Sequence, residues 1–335
     1  MKKLWILFTA LALLAVAMPA IADVTTGAVF YWYGITDLAD ATNGGANMLK
    51  ARILVSGAVD EFNTISTQLR WNNGGNTWDP ADVKIKTFNL ATDITGALGL
   101  DLPVTIKSTV GVWESDFTGF WYATRAGYSF VGGFNLDEQA SGAAQVDLGF
   151  GPVTVHYYQE MDLTWMMVGA DAAFGPIAVW AAMQAQNQAF GDGALNVEAK
   201  YEGKFGDLAL SVFPALHYDL GLEALGWDVG VKAGYKMLTI AASVGGTDPD
   251  YFDKVEAEVG AAFGDASLWA ALYMDLSAAD VLQGVDLMAN YKFGAATFYL
   301  GYLIVPGTVV GVIPIDAWEW DTTFGGLYAG VKCSL

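Results

Sequence analysis

The chain has 335 residues, of which 36 are acidic and 16 are basic, so its formal net charge is −20. This excess of carboxylates argues against nucleic acid as a partner, because phosphate binding depends on a surplus of Lys and Arg. Cys333 is the single cysteine, which excludes an internal disulfide and with it a disulfide-stapled fold.

The N-terminus has the pattern of a secretory signal peptide. Lys2 and Lys3 precede an apolar run over residues 4–18, and small residues stand at Ala20 and Ala22. The run is short for a bilayer-spanning helix, which needs about 20 residues, and it ends in an A-x-A cleavage site. We expect residues 1–22 to be removed by cleavage between Ala22 and Asp23. Residues 23–335 then form a single domain with 14 basic and 36 acidic residues.

The first third of the mature chain alternates apolar and polar residues, as a β-strand does when successive side chains point to opposite faces. The pattern predicts strands over residues 24–33, 49–59, 64–71, 83–98 and 103–113. Residues 120–150 also alternate, but without a visible turn, and fit either one strand or two.

From residue 150 onwards the strands end in a repeated Phe-Gly pair. The pair begins at Phe150, Phe174, Phe205, Phe263 and Phe293. Gly accepts the positive φ of a tight hairpin, so each pair predicts a short turn. Each Phe falls on the apolar face at a strand end, and in a closed barrel the set would form an aromatic girdle at one membrane interface.

The connections at the opposite strand ends are expected to be longer and acidic, as over residues 186–194 and 245–253. Short turns on one side and longer loops on the other are typical of outer-membrane barrels. Asp248, Asp250 and Asp253 lie close enough in sequence to suggest calcium, but they lack the ligand order of an EF-hand. A solvated acidic loop is the favoured interpretation.

The alternation is clearest over residues 227–235, where Val229 and Val231 share an apolar face and Asp228 and Lys232 share the other. Alternation alone also fits a soluble β-sandwich. The long run of consecutive hairpins, without any helical or transmembrane-helix pattern, favours a barrel. The sequence therefore predicts an all-β fold, a transmembrane antiparallel up-and-down barrel with an even strand number of about 18, within a range of about 16 to 20.

Residues 305–321 form the longest connection between predicted strands and are unusually apolar for a loop. Pro306 and Pro314 disfavour internal strands without forbidding edge ones. The segment either folds into the pore mouth as a plug or forms an extra hairpin, and the sequence leaves both open.

Two histidines, His156 and His217, fall on predicted strands and face inward by alternation. A membrane-embedded esterase needs a serine, a histidine and an acid that converge. His156 has Glu160 and Asp162 nearby, but its own hairpin contains no serine, so a polar lumen lining is the stronger interpretation. No His or Cys cluster has metal-ligand spacing and no Gly-rich phosphate loop opens a helix, so we expect neither metal nor cofactor.

The C-terminal residues 327–335 alternate up to the last position. They resemble the terminal β-signal by which outer-membrane barrel proteins are recognised for assembly, and Tyr328, Gly330, Cys333 and Leu335 carry the resemblance. Such signals usually end in an aromatic residue, so Leu335 departs from the pattern. The resemblance implies a porin-like channel in the bacterial outer membrane, recognition of the last strand by the assembly machinery, and a trimer as in general porins.

A barrel of about 16 or more strands encloses an aqueous channel rather than a packed core. We therefore expect passive diffusion of small hydrophilic solutes and ions, with a modest cation preference because much of the negative charge falls in the loops. The alternatives are a non-catalytic envelope scaffold or adhesin and, more remotely, an outer-membrane barrel enzyme. The side chains predicted to line the pore are Lys107, Arg125, Asp147, His156, Asp171, Glu198, Lys200, Glu202, Asp228, Lys232, Glu256, Glu258, Asp275, Asp286 and Lys292.

Overall fold

The computed structural model describes residues 24–37, 46–74, 83–113, 141–186, 189–248, 250–278, 281–304, 311–313, 318–322 and 326–334. The predicted signal peptide and Arg125 lie outside these residues. Among the residues described, no helix is long and apolar enough to cross a membrane.

Eighteen strands form one antiparallel sheet that closes on itself, because the first strand pairs with both the second and the last. The predicted all-β barrel and its best strand estimate are confirmed. The barrel strands are β1 (Val24–Asp37), β2 (Ala46–Ala58), β3 (Asn63–Gly74), β4 (Val83–Asp93), β5 (Thr105–Trp113), β6 (Ser141–Phe150), β7 (Val153–Glu160), β8 (Trp165–Phe174), β9 (Ile177–Gln186), β10 (Ala189–Phe205), β11 (Leu208–Asp219), β12 (Ala224–Tyr235), β13 (Leu238–Thr247), β14 (Asp250–Phe263), β15 (Ala266–Asp275), β16 (Leu282–Phe293), β17 (Ala296–Ile304) and β20 (Gly326–Ser334).

The Phe-Gly pairs form tight turns at one end of the barrel, here called the short-turn end. The glycine after each Phe has a positive φ, between 60° and 65°, and begins a two-residue connection. Only the first central residue has this conformation, as a type II′ turn requires. The turn between β12 and β13 uses Lys236 instead, with φ 52°.

The outer surface of the barrel is apolar and exposed, which is the reverse of a water-soluble protein. Val231, Val259 and Leu287 on neighbouring strands are all exposed, and so are the Phe residues at the short-turn end. A closed barrel with an apolar outer band and an aromatic girdle is built to lie in hydrocarbon, since all ladder hydrogen bonds are made between its own strands.

Three local expectations were wrong. The strand predicted over residues 83–98 ends at Asp93, whose side chain accepts a hydrogen bond from the Gly96 backbone N–H and starts the short helix α1 (Ile94–Ala97). The predicted loops 186–194 and 245–253 are mostly strand, because β9 and β10 still pair through Gln186 and Ala189, and β13 and β14 through Thr247 and Asp250. Strand pairing uses backbone groups and not side chains, so the polar side chains of these residues do not prevent it.

Residues in the 305–321 segment form a separate hairpin of β18 (Gly311–Ile313) and β19 (Trp318–Thr322), which pair only with each other among the described strands. This observation supports the extra-hairpin alternative.

The connection between β2 and β3, at the short-turn end, is held by Asp60. The Asp60 carboxylate accepts hydrogen bonds from the Phe62 and Asn63 backbone N–H groups and from the Asn63 side-chain amide, at 2.8 to 2.9 Å. These bonds, led by that of the Asn63 side chain, lower the pKa of Asp60. The stabilisation of the connection by these hydrogen bonds is fully present above the ordinary pKa of a carboxyl group. It is lost as the pH falls through the lowered pKa of Asp60.

Replacing Lys236 with Gly should stabilise the barrel by about 1 kcal/mol, because a side chain in the left-handed region is strained and glycine is not. The measurement is the urea midpoint of unfolding in phospholipid vesicles. Gly264→Lys, the reverse change in an equivalent turn, should lower that midpoint. Equal midpoints for all three proteins would show that turn strain does not contribute.

The inside–outside assignment can be tested at one depth on one strand. Val231→Arg should destabilise the barrel by about 2 to 4 kcal/mol, because the charge must face hydrocarbon. Lys232→Gln, at the next residue and on the opposite face, should cost little. Similar losses of unfolding free energy for the two variants would contradict the assignment.

Candidate functional site

The inner face of the barrel carries most of the charged side chains predicted from alternation. Residues that oppose each other in an antiparallel pair share a face, and the pairing links Asp228 to Gly245 and Lys254, and Glu258 to Ala271 and Asp286. All lie on the face opposite to the exposed valines and leucines. That these residues line a water-filled pore remains a prediction.

Three predicted residues meet in a polar cluster near the short-turn end of β6, β7 and β8. His156 Nδ1 lies 2.7 Å from Asp147 Oδ1, and His156 Nε2 lies 2.5 Å from Asp171 Oδ1. Gln145 donates a hydrogen bond of 2.7 Å to the same Asp147 oxygen. A carboxylate only accepts, so both ring nitrogens donate when the imidazole is protonated and the ring is held between two anions.

A second group lies on β14, β15, β16 and β20 and combines carboxylates with tyrosines. Glu256 and Asp286 are only 1% and 2% exposed, and Glu258 is also buried. Tyr328 donates a hydrogen bond of 2.8 Å to Asp286. The Tyr273 hydroxyl opposite Glu256 is buried and makes no hydrogen bond within the described part of the chain.

Inward glycines make room for inward aromatic rings on the neighbouring strand. Gly301 opposes Tyr328 in the pairing, and Gly260 opposes Trp269. A Cβ added at either glycine would collide with the ring of its partner. Each ring therefore lies across the backbone of the next strand, a cross-strand contact that also pins the register.

A third polar contact lies on β10 and β11. His217 Nδ1 is 2.5 Å from Asn196 Oδ1, and the buried Asn196 Nδ2 has no hydrogen-bond partner among the described residues. Glu198 and Asp228 lie nearby on the same face and are both buried.

The other predicted residues are dispersed. Lys200 and Glu202 form an ion pair of 2.8 Å. Asp275, at the end opposite to the short turns, accepts a hydrogen bond of 2.7 Å from the Ser277 hydroxyl. Lys107 opposes Asp147 in the pairing and is exposed, as are Lys232 and Lys292 nearer the short-turn end.

Sequence reasoning missed several inward residues. Arg52 and Arg70 oppose each other on β2 and β3, and Glu160 is buried at the end of β7. Extending the alternation along β2, β3 and β7 would have found all three. Trp180, buried in a cluster with Tyr158 and Met167, was missed because a large apolar side chain on an inner face contradicts the expectation of a polar lumen.

The histidine contacts bear on the enzyme alternative. His156 contacts two aspartates and His217 contacts an amide, and within the described residues neither histidine is hydrogen-bonded to a serine. In the same part of the chain, no three His, Cys, Asp or Glu side chains are placed to hold a metal ion.

No family model and no curated protein matches this sequence. Solved structures match its fold. A mutant of the Rh. blastica porin is 13% identical with a TM-score of 0.58, and the match covers 93% of this chain and 99% of that one. The chain therefore shares its barrel fold with this porin.

Two further porin-like structures resemble it over nearly their whole length. OccK2 (OpdF) of Pseudomonas aeruginosa is 8% identical with a TM-score of 0.58, covering 93% of this chain and 98% of that chain. A BenF-like porin of Pseudomonas fluorescens Pf-5 is 9% identical with a TM-score of 0.56, covering 94% and 98%. At such low identities the likeness shows the barrel fold alone.

Replacing His156 with Leu should lower the unfolding free energy by about 2 kcal/mol, because two hydrogen bonds to charged partners are lost. His217→Leu loses one contact with a neutral amide and should cost about 1 kcal/mol or less. Denaturant titration of both variants in vesicles measures the difference. A cost for His156→Leu no larger than that for His217→Leu would contradict the two-carboxylate arrangement.

Proposed function

We propose that this protein is a porin-like channel for the passive diffusion of small hydrophilic solutes and ions across the outer membrane. The observation that carries the proposal is the closed wall of 18 strands with an apolar exposed outer face and a charged inner face. A barrel of this strand number is too wide for its own side chains to fill completely.

The solute path follows the inner side of β2 to β5 under this proposal. Ser56, Ser66, Gln68 and Asn89 there are neither buried nor apolar, and Lys107 is exposed. On β6 to β17 many inward side chains at mid-height are buried instead. The inward side chains of β2 to β5, here called the polar sector, are thus more exposed than those of β6 to β17. This difference favours passage of solutes beside the polar sector.

A modest cation preference is the selectivity we propose. Inward acids and bases nearly cancel, so the rim decides the sign. At the end opposite to the short turns, Asp162, Glu223 and Asp248 are exposed, and negative potential there concentrates cations at the mouth. Salt screens this field beyond a Debye length of about 10 Å at 0.1 M, so the preference should weaken as salt increases.

A channel for small organic anions is the second candidate. Arg52, Arg70 and Lys107 lie on the inner face of the polar sector, where a carboxylate could be attracted. Two structural neighbours, OccK2 and OpdK, are described with glucuronate and vanillate. Solutes of that class are what this candidate would transport.

Several expectations from the sequence belong to the same proposal. Residues 1–22 are removed as a signal peptide, residues 23–335 form one barrel domain, the last strand is read by the assembly machinery, and the protein is a homotrimer without enzymatic activity. N-terminal sequencing and the mass of the purified native assembly test the first and fourth of these.

Conductance in planar bilayers tests the channel. The native protein should give stable single-channel steps, and the reversal potential across a KCl gradient should have the sign of a cation-preferring pore, decreasing at high salt. Asp162→Asn, Glu223→Gln and Asp248→Asn combined should reduce the reversal potential, because the rim charge is removed.

Lys232→Gln is the matched control with the opposite charge change, since it removes an inward base and should raise the cation preference. Anion preference in the native protein would favour the second candidate. Absence of conductance in correctly folded protein would reject both channels and leave the envelope scaffold.

A further inference from the structure

The aromatic girdle at the short-turn end is incomplete. Six strands that run toward this end finish on an exposed aromatic residue, namely Phe150, Phe174, Phe205, Tyr235, Phe263 and Phe293. The other three, β20, β2 and β4, finish on Ser334, Ala58 and Asp93. The gap in the girdle therefore extends from β20 through β1 to β5.

The wall above this gap is polar on its outer face. Asn63, Thr92 and Ser108 form one row across β3, β4 and β5, and the Thr92 hydroxyl donates a hydrogen bond of 2.7 Å to the Asn63 side chain. Alternation from the exposed Phe88 and Leu90 places the row on the outer face. None of these three side chains adds apolar surface to the rim.

The connection between β4 and β5 carries the missing apolar surface. It follows α1 and includes Leu98, Leu100 and Leu102, which are 66%, 41% and 48% exposed. We call residues 98–103 the leucine loop. Six other connections at this end have only two residues, so a longer segment with three exposed leucines is a departure from the pattern of this barrel.

Hydrogen bonds hold the backbone at both ends of the leucine loop. Gly99, with φ 59°, donates to the Gly96 carbonyl, and Leu100 donates to the Thr95 carbonyl, which together make a Schellman cap on α1. The buried Thr95 hydroxyl accepts a hydrogen bond from the Ile106 backbone N–H.

The base of this loop also packs on the neighbouring turn. The Phe62 ring lies directly against Gly96, where a Cβ would come within 2.7 Å of it. The Asp93 backbone N–H donates to the Phe62 carbonyl at 2.9 Å. Because these contacts hold the backbone of the leucine loop, the exposure of its leucines is a fixed feature of the fold. We take it as a sign that the leucines bind a partner.

We propose that the leucine loop is a lipid anchor, whose leucines insert among the acyl chains of the adjacent leaflet and supply apolar surface to the part of the gap between β2 and β5. The loop connects strand ends at the end of the barrel where six other strands finish on exposed aromatics, and this position favours lipid over a water-soluble partner. The proposal needs the barrel to lie in a membrane but does not need it to conduct.

Site-specific fluorescence tests the anchor. In a Cys333→Ser background, Leu100→Cys is labelled with an environment-sensitive fluorophore and reconstituted into phosphatidylcholine vesicles that contain acyl-brominated lipid. Val231→Cys, on the lipid-facing wall, and Asp265→Cys, in a two-residue turn, are the matched controls. Iodide on both sides of the vesicle is the aqueous quencher.

The anchor predicts that the Leu100→Cys label is quenched by brominated lipid as the Val231→Cys label is, and is shielded from iodide. Quenching by iodide as at Asp265→Cys, with little effect of brominated lipid, would overturn it. Only heat-modifiable, folded protein is measured, and Leu98→Cys replaces Leu100→Cys if that variant does not fold. Conductance plays no part in the readout, so a failed channel proposal leaves this test intact.

Discussion

Every feature of this protein depends on the cost of an unpaired backbone amide in hydrocarbon. A sheet with free edges would leave rows of N–H and C=O groups without partners in the membrane, so the sheet must close. Closure is achieved by the pairing of β1 with both β2 and β20. Because the two ends of the chain meet in one seam, the wall exists only when the whole chain has paired.

Closure inverts the usual placement of polar and apolar residues. The valines and leucines that would form the core of a sandwich lie outside, exposed, and the carboxylates lie inside. The inside is nevertheless not uniformly wet. Glu256, Asp286 and Tyr328 pack beside one another, and glycines such as Gly301 admit the rings. The wall thus has a packed sector and a polar, partly exposed one.

The short-turn end shows how local sequence and membrane depth are coupled. Where a strand can end in Phe-Gly, the ring marks the interface and the glycine turns the chain in two residues. In the sector without such pairs, the chain instead builds a capped helix and an apolar loop. The Phe-Gly turns and the leucine loop are different local structures at the same end of the barrel. Both are explained if each supplies apolar side chains at the edge of the bilayer.

How much the sequence determined can be judged residue by residue. The period of two over residues 227–235 and the Phe-Gly pairs were sufficient for the barrel, its even strand number and its girdle, because alternation and turn conformation are local properties. Sequence could not show that Asp147, His156 and Asp171 meet, since their contacts depend on the register between three strands. Nor could it show that α1 interrupts the predicted strand at Asp93, or which inward residues are buried. Those depend on closure and on the packing of side chains from strands far apart in the chain, which only the tertiary structure decides.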